Sequence, residues 1–290
     1  MNPSSFEYSA PKRIEEAFEI LAKHDGEAKI LAGGQSLIPL LKLRLTSIPY
    51  IVDISGIEEM SYIKESSKDL KLGALTTIDD LENSLLIREK YPIIFDAASN
   101  IADPLVRNRG TIGGNISHGD PSNDMPAVML ALGARFIIAT SKGDRTAEAD
   151  TFFIDSFTTA LEYGDILREI SIPKRVGHEG GCYIKNKKTA GDFSVAAIAV
   201  QLRFNSSGVV ERAGIGMTSV SPKPIRALKA ENYLKGKKIG DSVVKETSRL
   251  VVAESDPSSD FYGTVEFKKR VLEKIAGDAI YLATDRSEES

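Results

Sequence analysis

Apolar and polar positions along the chain change period several times, and the changes mark out its elements. Ile14, Phe18 and Leu21 recur at helical spacing behind Pro11, with Glu15 and Glu16 placed at the positive end, so a helix is expected over residues 11–24. Ala28-Lys29-Ile30-Leu31 reads as a short buried strand, residues 37–43 as a helix and residues 50–54 as a second buried strand. That order defines a small N-terminal α/β unit ending near Ser55. Residues 62–65 and 70–73 are expected to be strands joined by the polar turn Ser66-Ser67-Lys68-Asp69. Thr77 can cap a helix carrying Asp79 and Asp80 in its first turn. Further helices are expected over residues 92–101 and 126–132, and strands over 135–140 and 165–172.

The charged, glycine-rich segment 175–181 suits a domain boundary, and the pattern beyond it changes character. Residues 182–188, 193–204 and 209–218 are long strand candidates, the last two joined as a hairpin by Asn205-Ser206-Ser207-Gly208. Helical patterns fill residues 224–234, 242–255 and 265–283. Strands followed by helices imply an α+β domain, here a three-stranded antiparallel sheet backed by helices. The expected division is 1–175, in units of roughly 1–55 and 56–175, and then 176–290, with only the tail 285–290 disordered.

Two glycine stretches break these periods. One is Ala32-Gly33-Gly34-Gln35-Ser36, between a strand and a helix; the other is Arg109-Gly110-Thr111-Ile112-Gly113-Gly114-Asn115-Ile116. Three glycines within five residues make poor helix or strand, so the second stretch is expected to be a loop. Backbone without Cβ atoms can approach a ligand closely and turn N–H groups toward an anion. A tight turn between buried segments is the plain alternative. Two such loops in one chain could grip an elongated dinucleotide from two sides, with Ser36 donating its hydroxyl to phosphate. Neither G-x-G-x-x-G nor a P-loop is present, and Ile38 stands where a G-x-S-x-G nucleophile elbow needs glycine. The pairs Glu15/Glu16 and Asp79/Asp80 sit where helix starts favour negative charge, so they read as structural rather than as acid–base pairs.

Composition narrows the chemistry. A formal net charge of −4 over 290 residues gives no reason to expect nucleic acid or an anionic membrane as partner. No apolar run nears the roughly 20 residues that span a bilayer. Met1-Asn2-Pro3-Ser4-Ser5 lacks the start of a signal peptide, so a cytoplasmic location is expected. Cys182 is the only cysteine, which excludes an internal disulfide and a cluster ligated by this chain's own thiolates. His24, His118 and His178 are scattered without metal-ligand spacing, so no metal site and no catalytic side chain are expected.

Ala32-Gly33-Gly34-Gln35-Ser36 with Leu37-Ile38-Pro39, followed about 75 residues on by Thr111-Ile112-Gly113-Gly114-Asn115, resembles the FAD-binding medium subunit of molybdenum hydroxylases. Members of that family include the aerobic carbon monoxide dehydrogenase flavoprotein, the nicotinate dehydrogenase FAD subunit and the flavin domain of xanthine dehydrogenase. The resemblance covers nearly the whole chain and implies a PCMH-type FAD-binding domain followed by the α+β domain. It implies that Lys29, Ile30, Leu31, Ala32, Gly33, Gly34, Gln35, Ser36 and Leu37 wrap the FAD pyrophosphate and ribitol. Ile101 and Ala102 would lie against the cofactor, and Thr111, Gly113, Gly114 and Asn115 would form a second phosphate-side grip. Asp124 would hydrogen-bond the cofactor, with a helix cap as its alternative role, and Ile166 and Leu167 would lie near the adenine or flavin ring. Lys185 or Lys187 would approach the flavin, and Phe193 would supply an aromatic beside the isoalloxazine.

The lone cysteine departs from members acting on 4-hydroxybenzoyl-CoA, which carry an inserted iron–sulfur loop. The implied partners are a separate large molybdenum-cofactor subunit and a small [2Fe-2S] subunit. The implied function is electron transfer from those clusters through FAD to an external acceptor. A self-sufficient flavin-dependent oxidase and a non-redox nucleotide-binding module are the alternatives.

Overall fold

The N-terminal unit alternates strands and helices, as its pattern requires: β1 (Glu7–Ser9), α1 (Ile14–Lys23), β2 (Ala28–Leu31), α2 (Leu37–Lys42) and β3 (Tyr50–Asp53). The computed structural model describes residues 2–288. β3 lies in the middle of a sheet of order β1-β3-β2, parallel to both neighbours. Parallel neighbours need crossover connections, which α1 and the loop leading into α2 supply. α1 turns Ile14, Ala17 and Leu21 into the core. β1 was not expected, because a three-residue strand with mostly exposed side chains carries little apolar signal.

The second unit contains β4 (Ile63–Glu65), β5 (Asp69–Gly73), α3 (Ile78–Asn83), α4 (Leu85–Lys90), α5 (Pro92–Asn100), α6 (Pro104–Arg107), α7 (Ile112–His118) and α8 (Asp124–Leu132). It continues with β6 (Arg135–Thr140), β7 (Gly143–Glu148), α9 (Ala149–Phe152), β8 (Phe153–Asp155), β9 (Thr158–Thr159) and β10 (Ile166–Pro173). Its main sheet is antiparallel, of order β4-β5-β10-β6-β7, and β8 and β9 form a small ribbon. Thr77 caps α3 as expected: Asp80 N donates to its Oγ1 at 3.0 Å, and Thr77 N donates back to Asp80 Oδ2 at 3.0 Å. β7 is an exposed edge strand, so its polar sequence hides it from periodicity.

One expectation is corrected here. The second glycine stretch is not a loop: from Ile112 onward it is helix α7, with Gly113 and Gly114 in its first turn and Thr111 as N-cap. Gly113 is there for packing, since a Cβ on it would stand 2.6 Å from the Ala74 carbonyl oxygen. Close approach outweighs the roughly 1 kcal/mol that a helical glycine costs relative to alanine.

The C-terminal part holds β11 (His178–Lys187), β12 (Ser194–Phe204), β13 (Val210–Thr218), β14 (Ile225–Arg226), α10 (Leu228–Leu234), α11 (Asp241–Glu254) and α12 (Val265–Glu288). Its antiparallel sheet has four strands rather than three, the extra one being the two-residue β14. It is also covered on both faces. Along β12, Ala197 and Ala199 enter the core shared with α5 and α8, whereas Ala196, Ile198, Val200 and Leu202 face a second core built with α12. Double coverage explains why β12 reads as a continuous apolar run.

α8, all nine of its residues buried, lies against this sheet. A Cβ at Gly214 or Gly216 would stand 2.0 Å from the Ala131 or Ala127 carbonyl oxygen, so glycine alone lets the helix backbone settle on β13. Residues 285–288 of the expected disordered tail belong to α12, and Arg286 pairs with Asp96 at 2.5 Å. Residues 289–290 lie outside the described residues. None of the described helices is long and apolar enough to cross a membrane.

Candidate functional site

β2 delivers the chain into the first glycine loop. Lys29 is exposed; Ile30, Leu31 and Ala32 are half-buried, and Ile30 and Ala32 pack on the core. A Cβ on Gly33 would stand 2.1 Å from the Arg109 carbonyl oxygen and 2.8 Å from Gly110 Cα, so this loop lies directly on the second glycine stretch. Gly34 takes φ +76°, a conformation few other residues adopt. Gln35 Nε2 donates to the carbonyls of Leu105 and Val106 at 3.4 and 3.5 Å, which ties the loop to α6. Ser36 is exposed, and the turn closes through Ile38 N to Gly34 O at 2.9 Å. Among the described residues, the backbone N–H groups of Gly33, Gly34, Gln35, Ser36 and Leu37 donate to no protein acceptor.

The second stretch is the opposite case. Ile112 N donates to Thr76 O at 3.0 Å, Gly113 N to Ala74 O at 2.8 Å and Gly114 N to Thr111 Oγ1 at 3.1 Å. The donors of residues 112–114 are consumed by the fold, so an anion finds none of those three free. What this helix leaves unmatched is an acceptor: Asn115 Oδ1 is buried without a hydrogen-bond partner among the described residues. Asn115 O in turn accepts from Asn123 Nδ2 at 2.8 Å, joining α7 to the start of α8. At the far end of α7, burial holds His118 below the usual imidazole range; Asp120 opposes this and Lys29 adds to it.

Asp124 opens α8 just beyond the Asn123 N-cap, so it does not serve as the cap itself. Tyr183 Oη donates to its Oδ1 at 2.5 Å and Lys185 Nζ to its Oδ2 at 3.1 Å, in a pair whose side chains are 6% and 2% exposed. Burial pushes the Asp124 carboxyl above the usual range, and Lys185 and Tyr183 pull it back only in part. Burial and then Asp124 drive the Tyr183 phenol well above its ordinary value. Lys185 Nζ also donates to Asn100 O at 3.2 Å, and Lys187 Nζ to Asn100 Oδ1 at 3.0 Å. Tyr183, Lys185 and Lys187 therefore hold both α8 and the end of α5, where the chain turns through Ile101 and Ala102. Ala102 sits at φ +43°, a strained value for a residue with a Cβ.

The sequence reading missed Asn100, Asn123 and Tyr183. Their signal was faint: Tyr183, Lys185 and Lys187 alternate along one strand and so share one face. Phe193, 46% exposed, follows the loop in which Gly191 approaches Ala102. Ile166 and Leu167 stand apart from these polar groups: both are core residues of β10, 1% and 5% exposed, paired with Ala139 and Ile138. Cys182, buried and pushed up to about 12 by that burial, gives no reactive thiolate.

The chain matches two family models. Residues 4–175 fit the FAD binding domain in molybdopterin dehydrogenase, and residues 182–282 fit the CO dehydrogenase flavoprotein C-terminal domain. It is 36% identical over 286 residues to the carbon monoxide dehydrogenase medium chain of Hydrogenophaga pseudoflava, covering 99% of each chain. It is also 36% identical to the glyceraldehyde dehydrogenase medium chain of Sulfolobus acidocaldarius, across 95% of this chain and 97% of that one. The fold superposes on a chain of the solved carbon monoxide dehydrogenase of Hydrogenophaga pseudoflava, a form lacking the Mo-pyranopterin moiety. There the TM-score is 0.95 at 38% identity, over 99% of both chains. The chain belongs to the FAD-carrying medium-subunit family of the molybdenum hydroxylases, which are oxidoreductases.

Proposed function

We propose that this chain is the electron relay of a heteromeric molybdenum hydroxylase, taking electrons from [2Fe-2S] clusters of a small partner subunit and delivering them to an external acceptor. Substrate would be oxidised at molybdenum on a separate large subunit. FAD, when bound, supplies two-electron storage. The observation that carries the reading is the run of unsatisfied N–H groups from Gly33 to Leu37, lying on the second glycine stretch. Free backbone donors in one loop suit a pyrophosphate. The buried Asn115 acceptor beside them suits a ligand hydroxyl or amide.

The residues divide by what they do. Gly33–Leu37 and Asn115 would touch the cofactor directly. Gly113 and Gly114 would act through packing, and Thr111 through its cap. Asp124 and Lys185 would hold the Asn100–Ala102 turn in place rather than meet the ligand, since their charged atoms already engage one another. Lys187 and Phe193 would stand nearest the flavin. Ile166 and Leu167 would support the site from the core behind α7. The likeness to carbon monoxide and glyceraldehyde dehydrogenase medium chains supports a partner-dependent relay and leaves the substrate to the large subunit.

The test is anaerobic. FAD-loaded protein is mixed with aldehydes, purines or carbon monoxide while its visible absorbance is followed. The flavin should remain oxidised until both partner subunits are present, and dithionite should bleach it directly. Rapid bleaching by an organic substrate alone would make the chain a self-sufficient flavin oxidase. A folded protein that takes up no FAD would leave only a non-redox nucleotide-binding module.

A further inference from the structure

A second polar concavity lies at the other end of α8. It is a pocket of about 210 Å³, lined by Lys174, Arg175, Arg203 and Arg212 together with Glu179 and Gln201. α8 separates it from the cofactor cleft, with Asp124 at one end and Leu132 at the other. At 1.5 Å per residue that is about 12 Å. From this pocket we infer that the protein carries a distinct binding site for a phosphate-type oxyanion.

The argument begins with strand register. β12 and β13 place Arg203 directly opposite Arg212, and β11 places Glu179 opposite Arg203 on the other side. Directly opposed residues have Cβ atoms about 5 Å apart, and like charges there are destabilising. Glu211, carried in the register shift beside Arg212, reaches 3.3 Å from Arg203 Nε but makes no hydrogen bond with it. Arg175 Nε is likewise buried and unpartnered, although its Nη1 donates to Lys90 O at 2.5 Å. Arg175 Nε and Arg203 Nε are thus buried without a hydrogen-bonded acceptor, Arg203 keeping Glu211 only as an ion-pair neighbour.

Neighbouring carboxylates offset the positive charge only in part: Glu179 attracts Arg175, and Glu211 stands beside Arg203. Glu179 already accepts from Gln201 Nε2 at 3.2 Å and Val176 N at 3.4 Å, and Lys174 shares Glu65 at 3.6 Å. The carboxyl end of α8 offers the arginines only about half a negative charge. An oxyanion with several acceptor oxygens would satisfy forked guanidinium donors from more than one side. The required chemistry is shared by free phosphate and by a phosphate monoester such as that of a nucleotide.

FAD-loaded full-length protein is unfolded thermally in rising inorganic phosphate, in rising adenosine monophosphate and in sodium chloride at matched ionic strength. Flavin absorbance reports that the cofactor stays bound. Phosphate at a hundredfold excess over its Kd should raise the midpoint by about 5 °C in a saturable way, and chloride should not. Equal shifts assign free phosphate; a larger shift with the nucleotide assigns a phosphate monoester. Arg212→Gln, an exposed position, should abolish the response and without phosphate should be at least as stable as the natural chain, because the cross-strand repulsion is gone. Arg203→Gln should abolish it too. A response equal to that in chloride, or one that survives Arg212→Gln, overturns the site and leaves the cofactor reading untouched.

Discussion

At the residue scale, the proposed cofactor site is marked by unmatched hydrogen-bonding groups more than by charge. Asn115 gives the sharpest case, because a buried acceptor without a partner costs about 1–3 kcal/mol. Asn115→Leu, of similar volume, should leave the cofactor-free protein as stable as before or more so, while weakening FAD binding about tenfold. Urea unfolding of the apoprotein and FAD titration by absorbance read the two effects separately. A parallel fall in both would make Asn115 a structural residue only. Gly33→Ala should behave differently. Its Cβ would drive into the Arg109 carbonyl oxygen 2.1 Å away, and backbone cannot give way as a flexible side chain can. Forcing the loops apart should lower stability by about 1–3 kcal/mol and empty the site together, as seen in the urea midpoint and the bound flavin. Unchanged FAD occupancy in a folded Gly33→Ala protein would show that the loop apposition does not shape the site.

At the element scale, the chain was most legible where one face is buried and least legible where local and tertiary preferences conflict. β2, α3 and the long strands of the C-terminal sheet announced themselves through period, caps and the Asn205–Gly208 hairpin. Position 112 onward misled, because glycine content argued for a loop while packing on Ala74 required small residues in a helix. β7 was silent because an exposed edge strand has no apolar face to declare it. In the candidate site, the first glycine loop stands out from its residues alone, but the hydrogen bonds among Asn100, Asp124, Tyr183 and Lys185 are a product of tertiary contact between α5, α8 and β11. α8 makes that dependence testable. A Cβ at Gly216 would stand 2.0 Å from Ala127 O, so Gly216→Ala should lift α8 from the sheet and disturb Asp124 at its start. The expected result is about 1–3 kcal/mol of lost stability with weakened FAD binding, although the residue lies outside the cleft. If FAD affinity is untouched while stability falls, the seating of α8 does not govern the cleft.

At the scale of the whole molecule, a buried ion pair joins the C-terminal sheet to the unit before it: Lys185 from β11 and Asp124 from α8. Removing one partner of such a pair typically costs about 3–5 kcal/mol, because the other charge is left buried. Here the loss should depend on pH. Burial raises the Asp124 carboxyl in the folded state and Lys185 is the largest influence opposing it, so Lys185→Met should raise it further. A carboxyl raised on folding binds more protons folded than unfolded. Its contribution is therefore most favourable below the ordinary carboxylate value and is lost as pH rises through the folded value. In Lys185→Met that window extends toward neutrality. Urea midpoints at pH 5 and pH 8 should differ more in the variant than in the natural chain, with the variant weaker at pH 8. Adding Asp124→Asn to Lys185→Met should flatten the difference, because no group remains there to titrate. If Lys185→Met instead tracks the natural chain at both pH values, the contact of β11 with α8 is held by apolar packing alone and the ion pair does not set its pH dependence.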